Sequence, residues 1–328
     1  MKIHVLAALA ALAGLSAGLV HAQSQPASPA GGAFPNRPMR IIVPFTPGGG
    51  NDVFGRAVAQ KMQERLGQPV VVENKPGAGG NIGAEFVAKS PGDGYTMLVA
   101  QNGLTMVPWL SKSLPFDVNK DLAPIGIGVS LPMVAVVTNN LPVNSIQELV
   151  AYAKANPGKL SYATPGVGTP HHLSMEWFMD LTGTKMVQVP YKGAAGMLTD
   201  LIAGQVHVMF GALNSAMSHI QAGKIRALAL AEARRNPILN VPTVNETIPG
   251  YEVTFWFGLS APGTTPEALL NRLSDEQRAI VNSPDVRERL AGVGFVPTPT
   301  TSAEMRKLMQ VEYERWGKVV KSAGIKPE

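Results

Sequence analysis

A chain of 328 residues with 45% hydrophobic and 16% charged side chains has room for two modest domains and is too apolar for a disordered polymer. Its formal charge of +5 comes from Lys and Arg scattered along the sequence, which argues against nucleic acid and leaves a mild preference for small anions. It has no cysteine, which excludes disulfides, thiolate catalysis, cysteine-based metal sites and a lipid-modified N-terminal cysteine.

Residues 1–22 read as a secretory signal peptide, with Lys2 and His4 before an apolar run from Val5 to Val20 and the small residue Ala22 before Gln23. The run is shorter than the ~20 residues of a membrane span. Residues 23–34, rich in Ser, Pro, Ala and Gly, read as a flexible leader. The mature protein is expected to be exported to a periplasm and to be free there rather than tethered.

The first unit is a strand at Ile41 to Val43, a breaker loop from Pro44 to Gly50 (PFTPGGG), and a helix from Asn51 to Leu66 closed by Gly67. Three successive glycines leave backbone N–H groups unshielded, and the helix N-terminus adds the positive end of its dipole, so the unit suits an anion. Neither Gly-x-x-x-x-Gly-Lys-Ser/Thr nor Gly-x-Gly-x-x-Gly occurs here, which argues against a nucleotide. Pro69 to Glu73 is the next strand, Asn74 to Gly80 (NKPGAGG) a second glycine loop, and Ile82 to Lys89 a helix. Tyr95 to Ala100 is a third strand, ending in Gln101-Asn102-Gly103. This alternation predicts a parallel sheet flanked by helices, with ligand at the carboxyl ends of the strands.

Pro124 to Val137 reads as a longer extended stretch. Ser145 to Glu148 then makes a capping box for a helix that stops near Asn156-Pro157-Gly158. The opening unit recurs as a strand at Leu160 to Ala163, a loop at Thr164 to Thr169 (TPGVGT), and a helix with Thr169 as N-cap and Pro170 at its first position. Met186 to Val189, the loop Pro190 to Gly193, a helix to Ala203, a strand Val206 to Phe210, a helix near Asn214 to Gln221 and a strand Ile225 to Leu230 complete a second α/β unit. Tyr251 to Ala261 reads as the return crossing into the first unit, followed by helices at 266–282, 284–291 and 302–322. Two α/β lobes joined by crossings near 130–137 and 250–257 describe a hinged clamshell.

Seven ordered blocks carry a family resemblance: PMRIIVPFTPGGGNDVFGRAVAQ, LGQPVVVENKPGAGGNIGAEFVAKSPGDGYT, NPGKLSYATPGVGTPHHL, VPYKGAAGMLTDLIAGQVHVMF, AGKIRALAL, VPTVNETIPGYEVTFWFGLSAP and SPDVRERL. The sequence resembles the substrate-binding proteins of tripartite tricarboxylate transporters, the Bug family of periplasmic solute receptors, over its whole mature length. The resemblance implies an α/β, two-lobed periplasmic-binding-protein fold of type II-like form, with lobe 1 at 35–132 and 253–328 and lobe 2 at 133–252. It implies a small carboxylate ligand, di- or tricarboxylate or aromatic, held in the interlobe cleft by a monomeric receptor and delivered to a two-component membrane permease. No enzyme activity, cofactor or metal is implied. A receptor feeding a signalling partner is the alternative; a periplasmic hydrolase is disfavoured because no Gly-x-Ser-x-Gly or metal-binding cluster appears.

Carried onto this sequence, the first wall is Phe45, Thr46, Pro47, Gly48, Gly49, Gly50, Asn51 and Asp52 with Ala78, Gly79 and Asn102. The second is Gly166, Gly168, Thr169, His171 and Tyr191, with Gly211 and Asn214 at its rim. Two departures bear on the ligand. The family usually carries Asp near the positions of His207 and Gly211, where this chain reads VHVMFG, and small hydroxyl residues where it has His171-His172. Loss of both acids disfavours a ligand bearing an ammonium group. Adjacent histidines project about 100° apart on a helix and do not make an i, i+4 metal site. One is expected to face the cleft and the other to be partly solvated. His207 reads as a core or partly exposed histidine, Trp109 and Trp256 as core, Lys192 as solvated, and Asp52 as complementing the helix dipole rather than acting as a base.

Overall fold

The computed structural model describes residues 34–327 except 167–168, 192–193, 233, 236–238 and 323. The signal peptide, nearly all of the leader, Gly168 and Lys192 therefore lie outside the described residues.

Two sheets form two lobes. In the first lobe β1 (Met39–Val43), β2 (Val70–Asn74) and β3 (Thr96–Gln101) run parallel, while β10 (Phe255–Pro262) lies antiparallel between β3 and β4 (Leu122–Leu131). With β11 (Val296–Pro297) at the edge, the order is β11-β4-β10-β3-β1-β2. In the second lobe β6 (Ser161–Thr164) pairs in parallel with β7 (Val187–Pro190) and β8 (Val208–Ala212), and β5 (Met133–Thr138) pairs antiparallel with β8 and β9 (Ile225–Leu230). The parallel pairing expected for the first three strands is present, and each sheet is mixed because β10, β4 and β5 pair antiparallel. The reason is connectivity: β4 leaves the first sheet and β5 enters the second with only Pro132 between them, and β10 returns beside β4. A proline has no N–H for a ladder, so the extended stretch divides there.

Alternation of buried positions fixes the layers. Ile41, Ile42 and Val43 are fully buried β-branched residues that suit a strand covered on both faces. One face of the first sheet packs on α1 (Gly50–Leu66), α9 (Glu267–Asn282) and α10 (Pro284–Gly292) through Phe54, Val58, Met62, Leu273 and Leu290. Each such side chain contributes roughly 1.5–3 kcal/mol by leaving water. The other face is covered by α2 (Asn81–Ala88) and the amino-terminal half of α11 (Ser302–Ser322). In the second lobe α5 (Ile146–Ala155) and α6 (Pro170–Thr182) pack on one face, and α7 (Ala194–Ala203) and α8 (Leu213–Gln221) on the other.

Two helices straddle the lobes. α3 (Gly103–Leu110), not expected from the sequence, places Leu104 in a first-lobe cluster and Met106 in the second-lobe core. α11, grouped on sequence with the first lobe, packs Met305 and Met309 there but Trp316, Val319 and Val320 against the second-lobe core. The two helices can lie close because Gly317 has no side chain; a Cβ there would sit 2.5 Å from Cζ2 of Trp109. Trp109 Nε1 donates to the Tyr313 carbonyl at 2.8 Å, so the contact is hydrogen-bonded as well as packed. At the centre of this brace the buried Glu312 carboxylate accepts from Trp256 Nε1 at 3.1 Å and from Thr105 Oγ1 at 3.1 Å. Burial pushes this carboxyl up to about 8, against the opposing pull of those two donors.

Candidate functional site

The turns that follow β1, β2 and β3 in the first lobe and β6, β7 and β8 in the second are the candidate walls, and the lobes meet near them where His171 lies against Phe255 and Asn214 reaches the Val293 carbonyl. In the first, Gly49 is the N-cap of α1, extended at φ −77° and ψ 169°, and no side chain caps the helix. The first helical bond runs from Val53 N–H to the Gly49 carbonyl at 3.0 Å. The N–H groups of Gly50, Asn51 and Asp52 therefore have no acceptor within the helix. Gly50 is required by close approach, since a Cβ there would lie 2.9 Å from Cε2 of Phe257.

Asp52 does not point its carboxylate at a ligand. Oδ2 accepts from Gly48 N–H at 3.0 Å and Arg56 Nε at 2.8 Å, and Oδ1 accepts from Asn74 Nδ2 at 2.9 Å. Asn74 Nδ2 also donates to the Phe45 carbonyl at 3.0 Å. Both ends of the glycine loop are thereby fastened to one buried carboxylate and its neighbouring amide. The Arg56 hydrogen bond is the largest of the causes that hold the Asp52 carboxyl down at about 2. The expected dipole partner is a clasp, while Thr46 to Gly49 stay exposed around it.

The second glycine loop is bent against its chirality. Gly77, Ala78, Gly79 and Gly80 have φ of 130°, 47°, 65° and 101°, and Gly80 N–H closes the turn on the Gly77 carbonyl at 2.9 Å. Ala78 carries a side chain in the left-handed region, where a residue other than glycine is strained. Gly80 lets the Phe45 ring approach, with its Cζ 3.1 Å from where a Cβ would sit. A small pocket between these loops is lined by Phe45, Gly79, Gly80, Gln101 and Gly103. Gln101, absent from the sequence-based site, accepts from Asn51 Nδ2 at 3.3 Å. A polar residue at the carboxyl end of a buried apolar strand was the available clue. Asn102 is fully buried, donates to the Thr254 carbonyl at 3.0 Å, and leaves Oδ1 without a partner.

The second wall is built differently. Thr169 caps α6 by accepting from His172 N–H at 3.3 Å and donates to the Gly166 carbonyl at 2.8 Å. Gly166 N–H and Gln188 Nε2 both donate to Thr164 Oγ1, at 3.2 and 2.8 Å. His171 lies edge-on to Phe255, ring centres 6.1 Å apart, and its buried Nδ1 has no partner. Burial pushes its imidazole down to about 4. His172, the histidine expected to be partly solvated, is instead buried with Nε2 3.5 Å from Glu176 Oε1, a carboxylate that also accepts from Tyr162.

Three rim residues turn elsewhere. Tyr191 donates its hydroxyl to Asp200 Oδ2 at 2.7 Å on its own following helix, and burial followed by that carboxylate raises it to about 12. Gly211 is buried in β8 opposite Val134. Asn214 donates across the lobes to the Val293 carbonyl at 3.2 Å, so its amide joins the walls. His207 lies away from the turns, its Nδ1 accepting from Ser161 N–H at 3.1 Å. Among the described residues no group of three or more His, Asp or Glu is placed to hold a metal, and no helix is long and apolar enough to cross a membrane.

Comparison with known proteins finds relatives over most of the chain. The family profile TctC, tripartite tricarboxylate transporter family receptor, matches residues 54–325. BugT of Bordetella pertussis is 37% identical over 300 residues, covering 89% of this chain and 91% of its own. Among solved structures, R. palustris Rpa4515 with adipate aligns at TM-score 0.78 and 36% identity, covering 90% of this chain and 100% of the other. MatC (Rpa3494) from Rhodopseudomonas palustris with bound malate aligns at TM-score 0.75 and 30% identity, covering 88% and 100%.

Proposed function

The chain belongs to the tripartite tricarboxylate transporter receptor family, and from that premise we propose that it captures a small carboxylate between its lobes and delivers it to a two-component membrane permease. On this reading residues 1–22 are removed on export, and the lobes are 35–132 with 253–328 and 133–252, braced by α3 and α11. The observation that carries the reading is the uncapped start of α1, whose loop Asp52 and Asn74 hold open. Adipate and malate in two structural relatives support the ligand class.

Backbone donors suffice for useful affinity. Hydrogen bonds to a charged group contribute roughly 1.5–3 kcal/mol each, and a helix N-terminus adds about 0.3–1. Four or five such bonds with two helix starts give a gross ~7–17 kcal/mol, from which association and lobe closure subtract several, against the ~8 kcal/mol of micromolar binding. No carboxylate of the first wall is free to hold an ammonium, because Asp52 is fully engaged.

The test is a thermal-shift and calorimetric panel on the purified protein. Carboxylates are expected to raise the melting temperature, and the matching carboxamides to leave it unchanged. Aspartate or glutamate binding more tightly than every plain carboxylate would refute the reading.

A further inference from the structure

We propose that His171 makes the cleft selective for carboxylates with a single ionised end, the far end of the ligand being an uncharged hydrogen-bonding group. This rests on the reading of the cleft as a carboxylate site and names the ligand class within it.

Among the described residues the two helix starts offer unequal numbers of donors. α1 presents the N–H groups of Gly50, Asn51 and Asp52 beyond its first helical bond. α6 starts with Pro170, which has no N–H, and His172 N–H is taken by Thr169. The first helical bond there is Leu173 N–H to the Thr169 carbonyl, so only the His171 N–H remains in that turn. The side chain of the same residue stands at the junction of the lobes, edge-on to Phe255 at the start of β10. From Phe255 a ladder of rings continues through Phe257, at 5.2 Å, to Phe295, at 5.8 Å, beneath Gly50. The floor joining the walls is aromatic.

An imidazolium must donate from both nitrogens. Nδ1 of His171 is buried and faces no acceptor, so the ring stays neutral. Among the described residues burial alone lowers its titration. A neutral ring offers one N–H and one lone pair, which match a hydroxyl, ester, ketone or amide. Among the described residues no charged group contributes at this ring, so a second carboxylate brought to it would be buried without a counter-charge from them, at high cost.

The experiment compares adipate with monomethyl adipate by calorimetry, on the intact protein and on His171→Gln and His171→Arg variants whose melting temperatures confirm folding. The expected result is that the wild type binds the monoester about tenfold more tightly than adipate, and that His171→Gln keeps this order. His171→Arg should reverse it by strengthening adipate alone. Adipate bound as tightly as the monoester by the wild type, or an unchanged order in His171→Arg, overturns the proposal while leaving the carboxylate reading intact. Failure of both probes and of benzoate to bind the wild type overturns the carboxylate reading itself, and this proposal with it.

Discussion

The same strand, glycine loop and helix occur at the start of each lobe, yet the two loops are held in opposite ways. In 44–50 the fastening comes from behind: Asp52 in the following helix and Asn74 at the end of β2 grip Gly48 N–H and the Phe45 carbonyl, and the helix start stays bare. In 164–172 the fastening comes from within, with Thr164 and Thr169 taking the loop's own donors. A glycine-rich βα turn is therefore an anion cradle only when something outside the turn holds it in shape. Where the turn caps itself it is a scaffold, and on the proposed reading the side chain of His171 has to read the ligand.

Placing a carboxylate on the open loop should break the comparison most severely. Gly49 has φ −77°, and a Cβ added there would meet nothing within 4 Å except the Thr46 carbonyl oxygen at 3.8 Å, so a side chain is tolerated by the fold. Gly49→Glu is expected to lower ligand affinity about a hundredfold or more, because its own carboxylate competes for at least two charge-assisted bonds. Gly49→Ala should bind nearly as the wild type does. Calorimetry with the best ligand of the carboxylate panel measures both, and a melting curve confirms that the variants fold.

A paired substitution sharpens the contrast. Asp52→Ala removes the external clasp and exposes the Arg56 charge, two effects of opposite sign on an anion. Arg56 is 47% exposed, so its added attraction is largely screened, and the loss of a preorganised loop prevails. Affinity should fall about tenfold. Thr169→Ala removes the internal cap of α6 and should cost ~1 kcal/mol of stability, about 2–4 °C in melting temperature. It frees His172 N–H and should not weaken binding. Equal losses of affinity in the two variants would show that the walls are equivalent after all.

Much of this architecture was legible in the sequence because it rests on local rules. β-branched runs, Gly67 as a helix stop and Ser145 as a helix cap are short-range facts, and the cap is present with Glu148 N–H on Ser145 Oγ at 3.1 Å. The glycine loops of the first wall were readable for the same reason. What the residues could not announce depends on contacts far apart in the chain. α3 was hidden because GLTMVPWL has no polar face and carries Pro108, the mark of a helix that contacts two cores. Asp52 reads as a dipole partner until Asn74 and Arg56 are seen to close on it, and Tyr191 reads as a cleft residue until Asp200 claims its hydroxyl. Glu312 falls in the apolar stripe of α11, and nothing nearby in sequence reveals that Thr105 and Trp256 meet it.

That buried carboxylate supplies the last effect, and one that touches both walls at once because α3 and α11 hold the lobes together. Its titration is raised from 4.5 to about 8 by burial, with Glu252 adding to the rise and Arg315 opposing it. The folded protein thus holds the proton more tightly than the unfolded chain does. The stability from Glu312 is complete below pH 4.5 and is lost as pH rises through about 8. Glu312→Gln keeps an acceptor for Trp256 or Thr105 and cannot ionise. At pH 4 the variant and the wild type should melt within about 1 °C of each other, whereas at pH 9 the variant should melt higher by about 5 °C or more. Comparing the two proteins at each pH cancels every other titrating group, so a difference that stays constant between the two conditions would mean that this carboxylate is solvated and the brace between the lobes is looser than its packing implies.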